Sequence, residues 1–197
     1  MSDSNIKRKV IRLAILGDST VGKTSIINVF LNMEFAQLMV TSVGKDKYDT
    51  QMVMKDGNEM KLIIWDTAGQ ERFHSIAIST IKNSQGIVIT FDITKRKTFD
   101  NVLLWLKEIR SNSELIPVVL FGNKCDLETE RKVTKQEAED LALKNRMTYF
   151  ETSAKEDINI KEGFKYLAES AYQKFGAPSQ VGVELNKKEV KKKGRRC

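Results

Sequence analysis

A chain of 197 residues, 41% hydrophobic and 30% charged, has the make-up of one ordinary globular unit with a short appendage. No run approaches the roughly 18 apolar residues of a membrane-spanning helix, and the N-terminal MSDSNIKRKV lacks the apolar stretch of a secretory signal. Cys125 and Cys197 make no disulfide framework and suit a reducing cytosol. The net charge of +7 is uneven: seven Lys or Arg between Ala177 and Cys197 face only Glu184 and Glu189, so +5 of it sits in the last 21 residues. A nucleic-acid-binding domain more often carries its charge on a folded face, and no nucleic-acid partner is expected.

Strand-like and helix-like segments alternate along the chain. Val10–Leu16 is a short apolar run that ends at a glycine-containing loop, and a helical pattern follows over 23–32. Two strands, 45–54 and 60–66, flank Asp56-Gly57-Asn58-Glu59, whose Asp-Gly is a hairpin signal. Three further strands are predicted over 86–92, 117–123 and 148–152, with helices over 100–111 and 135–144 between them. The last helix sets Ile160, Phe164, Leu167, Ala171 and Phe175 on one stripe. This order predicts an α/β fold: a mostly parallel sheet of six strands with one antiparallel edge strand, helices on both faces, and ligands at the carboxyl ends of the strands. Residues 8–176 form the expected single domain, and 177–197 a flexible polybasic tail.

The chemistry concentrates at those strand ends. Gly17-Asp18-Ser19-Thr20-Val21-Gly22-Lys23-Thr24 matches G-x-x-x-x-G-K-[ST] between a strand and a helix. In such a loop, backbone N–H groups curl around phosphate oxygens, Lys23 supplies a point charge to the β- and γ-phosphates, and the Thr24 hydroxyl binds Mg²⁺. The helix N-terminus adds its dipole. The loop alone does not choose between ATP and GTP. Asn123-Lys124-Cys125-Asp126 does: one carboxylate accepts from the ring N–H and the exocyclic amine of guanine, whereas adenine presents an acceptor and leaves Asp126 unpaired. Glu151-Thr152-Ser153-Ala154-Lys155 ends the next strand, where backbone N–H groups can meet the guanine oxygen. Asp66-Thr67-Ala68-Gly69-Gln70-Glu71 offers a strand-end carboxylate for Mg²⁺ and, in Gly69, a close backbone approach to a γ-phosphate. Gln70 can orient the attacking water. His74 and Cys125 have no metal-ligand companions in the sequence and read as structural.

Together GDSTVGKT, WDTAGQE, NKCD and ETSAK resemble the signature of Ras-superfamily small GTPases over about residues 9–176, and GDS-x-VGKT, KLIIWDTAGQERF and FDIT look most like the Rab branch. The resemblance implies a P-loop small-GTPase domain that binds GTP or GDP with Mg²⁺. Nucleotide contacts would come from Ser19, Thr20, Val21, Gly22, Lys23, Thr24 and Ser25, with Phe35 against the base. Base recognition is implied for Asn123, Lys124, Asp126, Ser153, Ala154 and Lys155, γ-phosphate sensing for Gly69, and catalysis for Gln70 and Lys23. Thr24, Ser42 and Asp66 are the implied metal-binding set, with Asp66 in the outer shell.

The first switch segment departs from the family pattern S-T-I-G-V-D-F: here it reads Thr41-Ser42-Val43-Gly44-Lys45-Asp46-Lys47. Spacing from Lys23 puts Ser42 at the metal position, with Thr41 the alternative if the loop shifts by one residue. Lys45 and Lys47 replace apolar residues of the family's effector surface, and Thr80-Ile81-Lys82-Asn83-Ser84 stands where Y-Y-R-G-A is common. No arginine finger is evident in cis, because the family does not use the position of Arg72 as the finger. Slow intrinsic hydrolysis, stimulated by an activating protein in trans, is the expectation, together with exchange proteins and an effector that reads the switches. The tail ends in a single cysteine, neither a CaaX box nor a double cysteine; a prenyl group on Cys197 beside the polybasic run would supply two membrane-anchoring signals. The expected setting is the cytosol, with cycling to the cytoplasmic face of an intracellular membrane in vesicular traffic. The alternatives are a Ras-like signalling GTPase, a nucleotide-locked scaffold with weak hydrolysis, and an ATP-dependent P-loop enzyme; NKCD opposes the last.

Overall fold

The computed structural model of the chain describes residues 10–31, 47–67, 74–113 and 115–176, with backbone alone for 74–77. Its core is a six-stranded sheet in the order β2-β3-β1-β4-β5-β6. The strands are β1 (Val10–Leu16), β2 (Lys47–Val53), β3 (Glu59–Asp66), β4 (Gly86–Asp92), β5 (Val118–Asn123) and β6 (Thr148–Thr152). Five run parallel, and β2 pairs antiparallel with β3 at one edge, as the sequence pattern predicts.

Strand sequence follows strand position. β4 and β5 are buried at every residue, so GIVITFD and VVLFGN read as nearly unbroken apolar runs. Edge strand β2 alternates exposed and covered residues instead, with one face open to water. Its turn is closed by Gly57 N–H to the Met54 carbonyl and Met54 N–H to the Asn58 carbonyl, each 2.9 Å.

Helices cover both faces. On one side α1 (Lys23–Phe30) and α6 (Ile160–Phe175) bury Ile26, Ile27, Phe164 and Leu167 against Ile11, Leu13, Val119 and Phe121. On the other, α2 (His74–Asn83), α4 (Val102–Asn112) and α5 (Lys135–Lys144) contribute Ile81, Leu106, Ile109, Ala138 and Ala142 to a core with Ile87, Ile89 and Leu120. Each fully buried Ile, Leu or Phe side chain stabilises the fold by about 1.5–3 kcal/mol.

Two sequence expectations need correction, and one helix, α2, was not expected. The helical segment over 100–111 has a separate forerunner, the single turn α3 (Arg96–Asp100), and α4 proper begins at Val102. Asn101 forms the junction because its side chain is drawn to Asp18 rather than solvent. Helix α2 lacked a strong enough apolar stripe to be recognised. Phe175 ends the stripe of α6 half-exposed, with the Lys174 ammonium 5.9 Å from its ring centre. Among the described residues no helix is long and apolar enough to cross a membrane.

Candidate functional site

The loop between β1 and α1 is built around two close approaches. Gly17 has φ +139°, and a Cβ there would lie 2.1 Å from the Thr90 carbonyl oxygen of β4. Gly22 has φ +100°, with a Cβ position 2.4 Å from Asn123 Nδ2. Only glycine serves at these points, for backbone and space alike. Thr20 also adopts a positive φ of 66°, and its hydroxyl accepts from Lys95 Nζ at 3.0 Å. The loop's outer edge is pinned through Asp18, which accepts from Asn101 Nδ2 at 2.7 Å and Trp105 Nε1 at 3.0 Å. A curled backbone followed by a helix N-terminus presents N–H groups to an anion.

Lys23 opens α1 and is 5% exposed; its ammonium donates to the Gly17 and Asp18 carbonyls at 2.7 Å each, so the charge is held inside the loop's own curve. One residue on, the Thr24 hydroxyl donates to Asp66 Oδ2 at 2.5 Å. Asp66 ends β3 and is 5% exposed. A hydroxyl and a carboxylate this close form a hard-oxygen pair next to a phosphate-shaped loop, a donor set that fits Mg²⁺.

Strand β5 brings the third element. Asn123, 1% exposed, donates from Nδ2 to the Val21 carbonyl at 2.7 Å and accepts from the Thr152 hydroxyl at 3.3 Å. Its side chain thus joins the loop to the ends of β5 and β6. Lys124 takes a positive φ of 69°, and its ammonium lies 2.6 Å from Asp92 Oδ2. Asp92 is fully buried at the end of β4, and its other oxygen accepts from the Thr94 N–H and hydroxyl. Asp126 accepts from the Ser153 hydroxyl at 2.6 Å, which fixes its carboxylate in orientation. Ser153 in turn closes a small bridge with Ile158 and accepts from Glu156 N–H, ordering the turn that carries Ala154 and Lys155. Lys155 is exposed and near Glu156.

Around this corner, Arg131 spans Glu128 and Glu151 at 2.6 and 2.7 Å, and its guanidinium pKa is raised, first by the hydrogen bond to Glu128. Burial pushes the Cys125 thiol up, helped by Glu151 and Asp126. Cys125 therefore stays a neutral thiol near pH 7 and is a packing residue.

The described candidates gather at one end of the sheet: Ser19–Ser25 after β1, Asp66 after β3, Asn123, Lys124 and Asp126 after β5, and Ser153–Lys155 after β6. Phe35, Thr41, Ser42, Lys45, Gly69, Gln70 and Cys197 lie outside the described residues. Sequence reasoning missed Asp18, Lys95, Asn101, Trp105 and Asp92. Asp92 had a usable signal, being a lone carboxylate at the end of an apolar strand, as Asp66 is. The Asp18–Trp105 pair spans 87 positions and had none.

Comparison with known proteins agrees with this geometry. A model of the Ras family matches residues 12–173. The chain is 40% identical over 166 residues to Ras-related protein Rab-13 of Rattus norvegicus, covering 84% of this chain and 81% of that protein. It is 41% identical over 178 residues to Ras-related protein Rab-10 of Diplobatis ommata, with 89% and 88% covered. Ras-related protein Rab-39A of Homo sapiens is 41% identical over 168 residues, with 82% and 77% covered. The chain belongs to the Ras family, and within it is a GTP-binding and GTP-hydrolysing protein of Rab type that uses Mg²⁺.

Proposed function

We propose that this GTPase is a switch in vesicular membrane traffic, cycling between the cytosol and the cytoplasmic face of an intracellular membrane. The observation that carries the switch chemistry is the tie from Asn123 to the Val21 carbonyl, which couples the base-reading end of β5 to the phosphate loop. In this reading Lys23, Gly22 and the N–H groups of 19–25 hold the phosphates, and Asp126, oriented by Ser153, accepts from guanine. Lys124, Ala154 and Lys155 complete the base pocket, with Phe35 against the other side of the base. Thr24, Ser42 and Asp66 hold Mg²⁺, which when bound neutralises phosphate charge. Gly69 senses the γ-phosphate through its N–H, and Gln70 orients the attacking water.

Hydrolysis is slow alone and accelerated by an activating protein that brings positive charge in trans. Exchange proteins and an effector complete the cycle. The effector surface is unusual: Lys47 opens edge strand β2 exposed, and its ammonium lies 5.4 Å from the centre of the Trp65 ring. That pairing supports an effector with acidic side chains. The polybasic tail and a prenyl group on Cys197 supply the membrane anchor.

Single-turnover hydrolysis of GTP by the wild type and by Gln70→Leu tests the switch. Turnover lost in the variant supports it, and no turnover in either makes the protein a nucleotide-locked scaffold. The mass of the C-terminal peptide from native cells tests the anchor, since an unmodified Cys197 removes the membrane claim and leaves the GTPase.

A further inference from the structure

At the end of the sheet away from the nucleotide site, a cavity of about 510 Å³ opens between the start of β5, the end of α5 and the last turn of α6. Pro117 and Val118 line it together with Arg110, Lys144, Arg146 and Lys174, with no acidic side chain among the described lining residues. The volume lies within the range of about 300–1,000 Å³ typical of ligand sites. Parallel strand β5, at about 3.3 Å per residue, separates Val118 in the cavity lining from Asn123 by about 17 Å.

Helices α4, α5 and α6 all end here, so some cations would be expected merely to meet helix C-termini. Arg110 and Lys174 meet carbonyls of the loop before β5 instead: Arg110 donates to Ile116 at 3.2 Å, and Lys174 donates to Leu115. Lys144 and Arg146 do not: both are exposed, and their side chains make no hydrogen bond or ion pair among the described residues. Arg146 also occupies a backbone site that favours glycine. Its φ is +57°, at the left-handed position of a helix-ending motif closed by Arg146 N–H to the Leu143 carbonyl and Met147 N–H to the Ala142 carbonyl. The fold carries an arginine where the turn alone would be easier with no side chain.

Leu115 in the lining is 69% exposed, and Leu143 and Phe175, the sequence neighbours of the lining residues Lys144 and Lys174, are 81% and 48% exposed. A basic cavity with one exposed apolar side chain in its lining and two more next to it in sequence matches a headgroup at the boundary between water and lipid better than a fully hydrated anion. Helix α6 ends at the same place, so the chain enters its +5 segment from beside this cavity. We infer that this cavity binds the multiply phosphorylated headgroup of an anionic membrane lipid, held by Lys144, Arg146 and Lys174 while these apolar side chains touch the bilayer surface. The site is independent of nucleotide chemistry and would orient the sheet with its nucleotide end away from the membrane.

The test uses the full-length, unlipidated protein loaded with GDP. Co-sedimentation is measured with phosphatidylcholine vesicles containing phosphatidylinositol bisphosphate, and with phosphatidylserine vesicles of matched charge density. Lys144→Gln with Arg146→Gly should weaken binding to the first vesicles by about fivefold per charge removed, and the second much less. Replacing Lys191, Lys192 and Lys193 with Gln should weaken both. Arg146→Gly should melt at the same or a higher temperature, so that lost binding is not lost folding. Soluble inositol trisphosphate should compete against the first vesicles only. Equal losses on both vesicle types, or none, would overturn the site. Binding of soluble inositol trisphosphate without binding to the first vesicles would overturn its membrane role and leave a soluble polyphosphate as the ligand.

Discussion

Asn123 Nδ2 sits 2.7 Å from the carbonyl oxygen of Val21, joining residues 102 positions apart at a point closed to solvent. Asn123→Ala removes the only side-chain donor described for that carbonyl and strands the Thr152 hydroxyl as well. A buried acceptor left unpaired costs about 1–3 kcal/mol. Nucleotide affinity should fall roughly 10- to 100-fold, read as faster release of a fluorescent GDP analogue. The loss should appear for GDP and GTP alike, because the bond touches the loop that holds both. A variant releasing GDP at the wild-type rate would show that the tie does not shape the loop.

Asp92 and Lys124 form the second hidden support. Removing the carboxylate by Asp92→Ala leaves the Lys124 ammonium without its partner and Thr94 without two acceptor contacts. Breaking a buried ion pair costs about 3–5 kcal/mol, and Lys124 keeps some contact with water, so the lower end applies. The melting temperature should drop by about 10 °C. Asp92→Asn, which keeps an acceptor oxygen for Thr94, should lose clearly less. Equal losses would mean that the charge on Asp92 contributes nothing.

The hairpin of β2 and β3 is latched to α6. Tyr172 donates its hydroxyl to Asp56 Oδ2 at 2.7 Å and accepts from Asn58 Nδ2 at 3.0 Å, while Glu169 accepts from Lys55 N–H at 2.7 Å. The Tyr172 bond is the largest cause holding the Asp56 carboxyl below its ordinary value, and the same bond raises the tyrosine. A lowered carboxyl contributes stability present above the ordinary range near about 4 and lost as pH falls through the folded value. A raised tyrosine contributes stability present below about 10 and lost as pH rises through its folded value. The difference in melting temperature between wild type and Tyr172→Phe should therefore be largest between about pH 5 and 9 and shrink at both extremes. A difference independent of pH would assign the tyrosine to packing alone.

What could be read beforehand was what depends on local sequence. The buried runs of β4 and β5, the Asp56-Gly57 turn and the loop from Gly17 to Thr24 each declare themselves within a few residues. So does the capping box that starts α5, where Thr134 and Glu137 bond reciprocally. The hydrogen bonds there from Arg96 and Thr134 hold the Glu137 carboxyl down to about 2. The supports of the site were hidden because they are non-local. Nothing near Asp18 announces Trp105, and nothing near Arg146 announces that its backbone is left-handed. The two described hydrogen bonds of Asn123, to the Val21 carbonyl and from the Thr152 hydroxyl, reach residues 102 and 29 positions away, and nothing near Asn123 announces them.

Base choice offers the sharpest test of Asp126. Ser153 donates to Oδ1 at 2.6 Å, which orients the carboxylate and leaves it an acceptor for two adjacent donors. Guanine supplies both as a ring N–H and an amine. Xanthine has the same ring N–H but a carbonyl oxygen where guanine has the amine, so the carboxylate meets an acceptor. Asp126→Asn puts a donor on that side chain, repelling the guanine amine and matching the xanthine oxygen. A site built around a hydrogen bond rejects the wrong partner by about 10⁴ or more. Affinity for GTP should collapse toward that extent, and affinity for xanthosine triphosphate should rise, as measured by competition against a fluorescent nucleotide. The fold should be undisturbed, because Asn keeps an oxygen for Ser153, and an unchanged melting temperature checks that. A variant that still prefers GTP would move base recognition away from Asp126 to the backbone of 153–155.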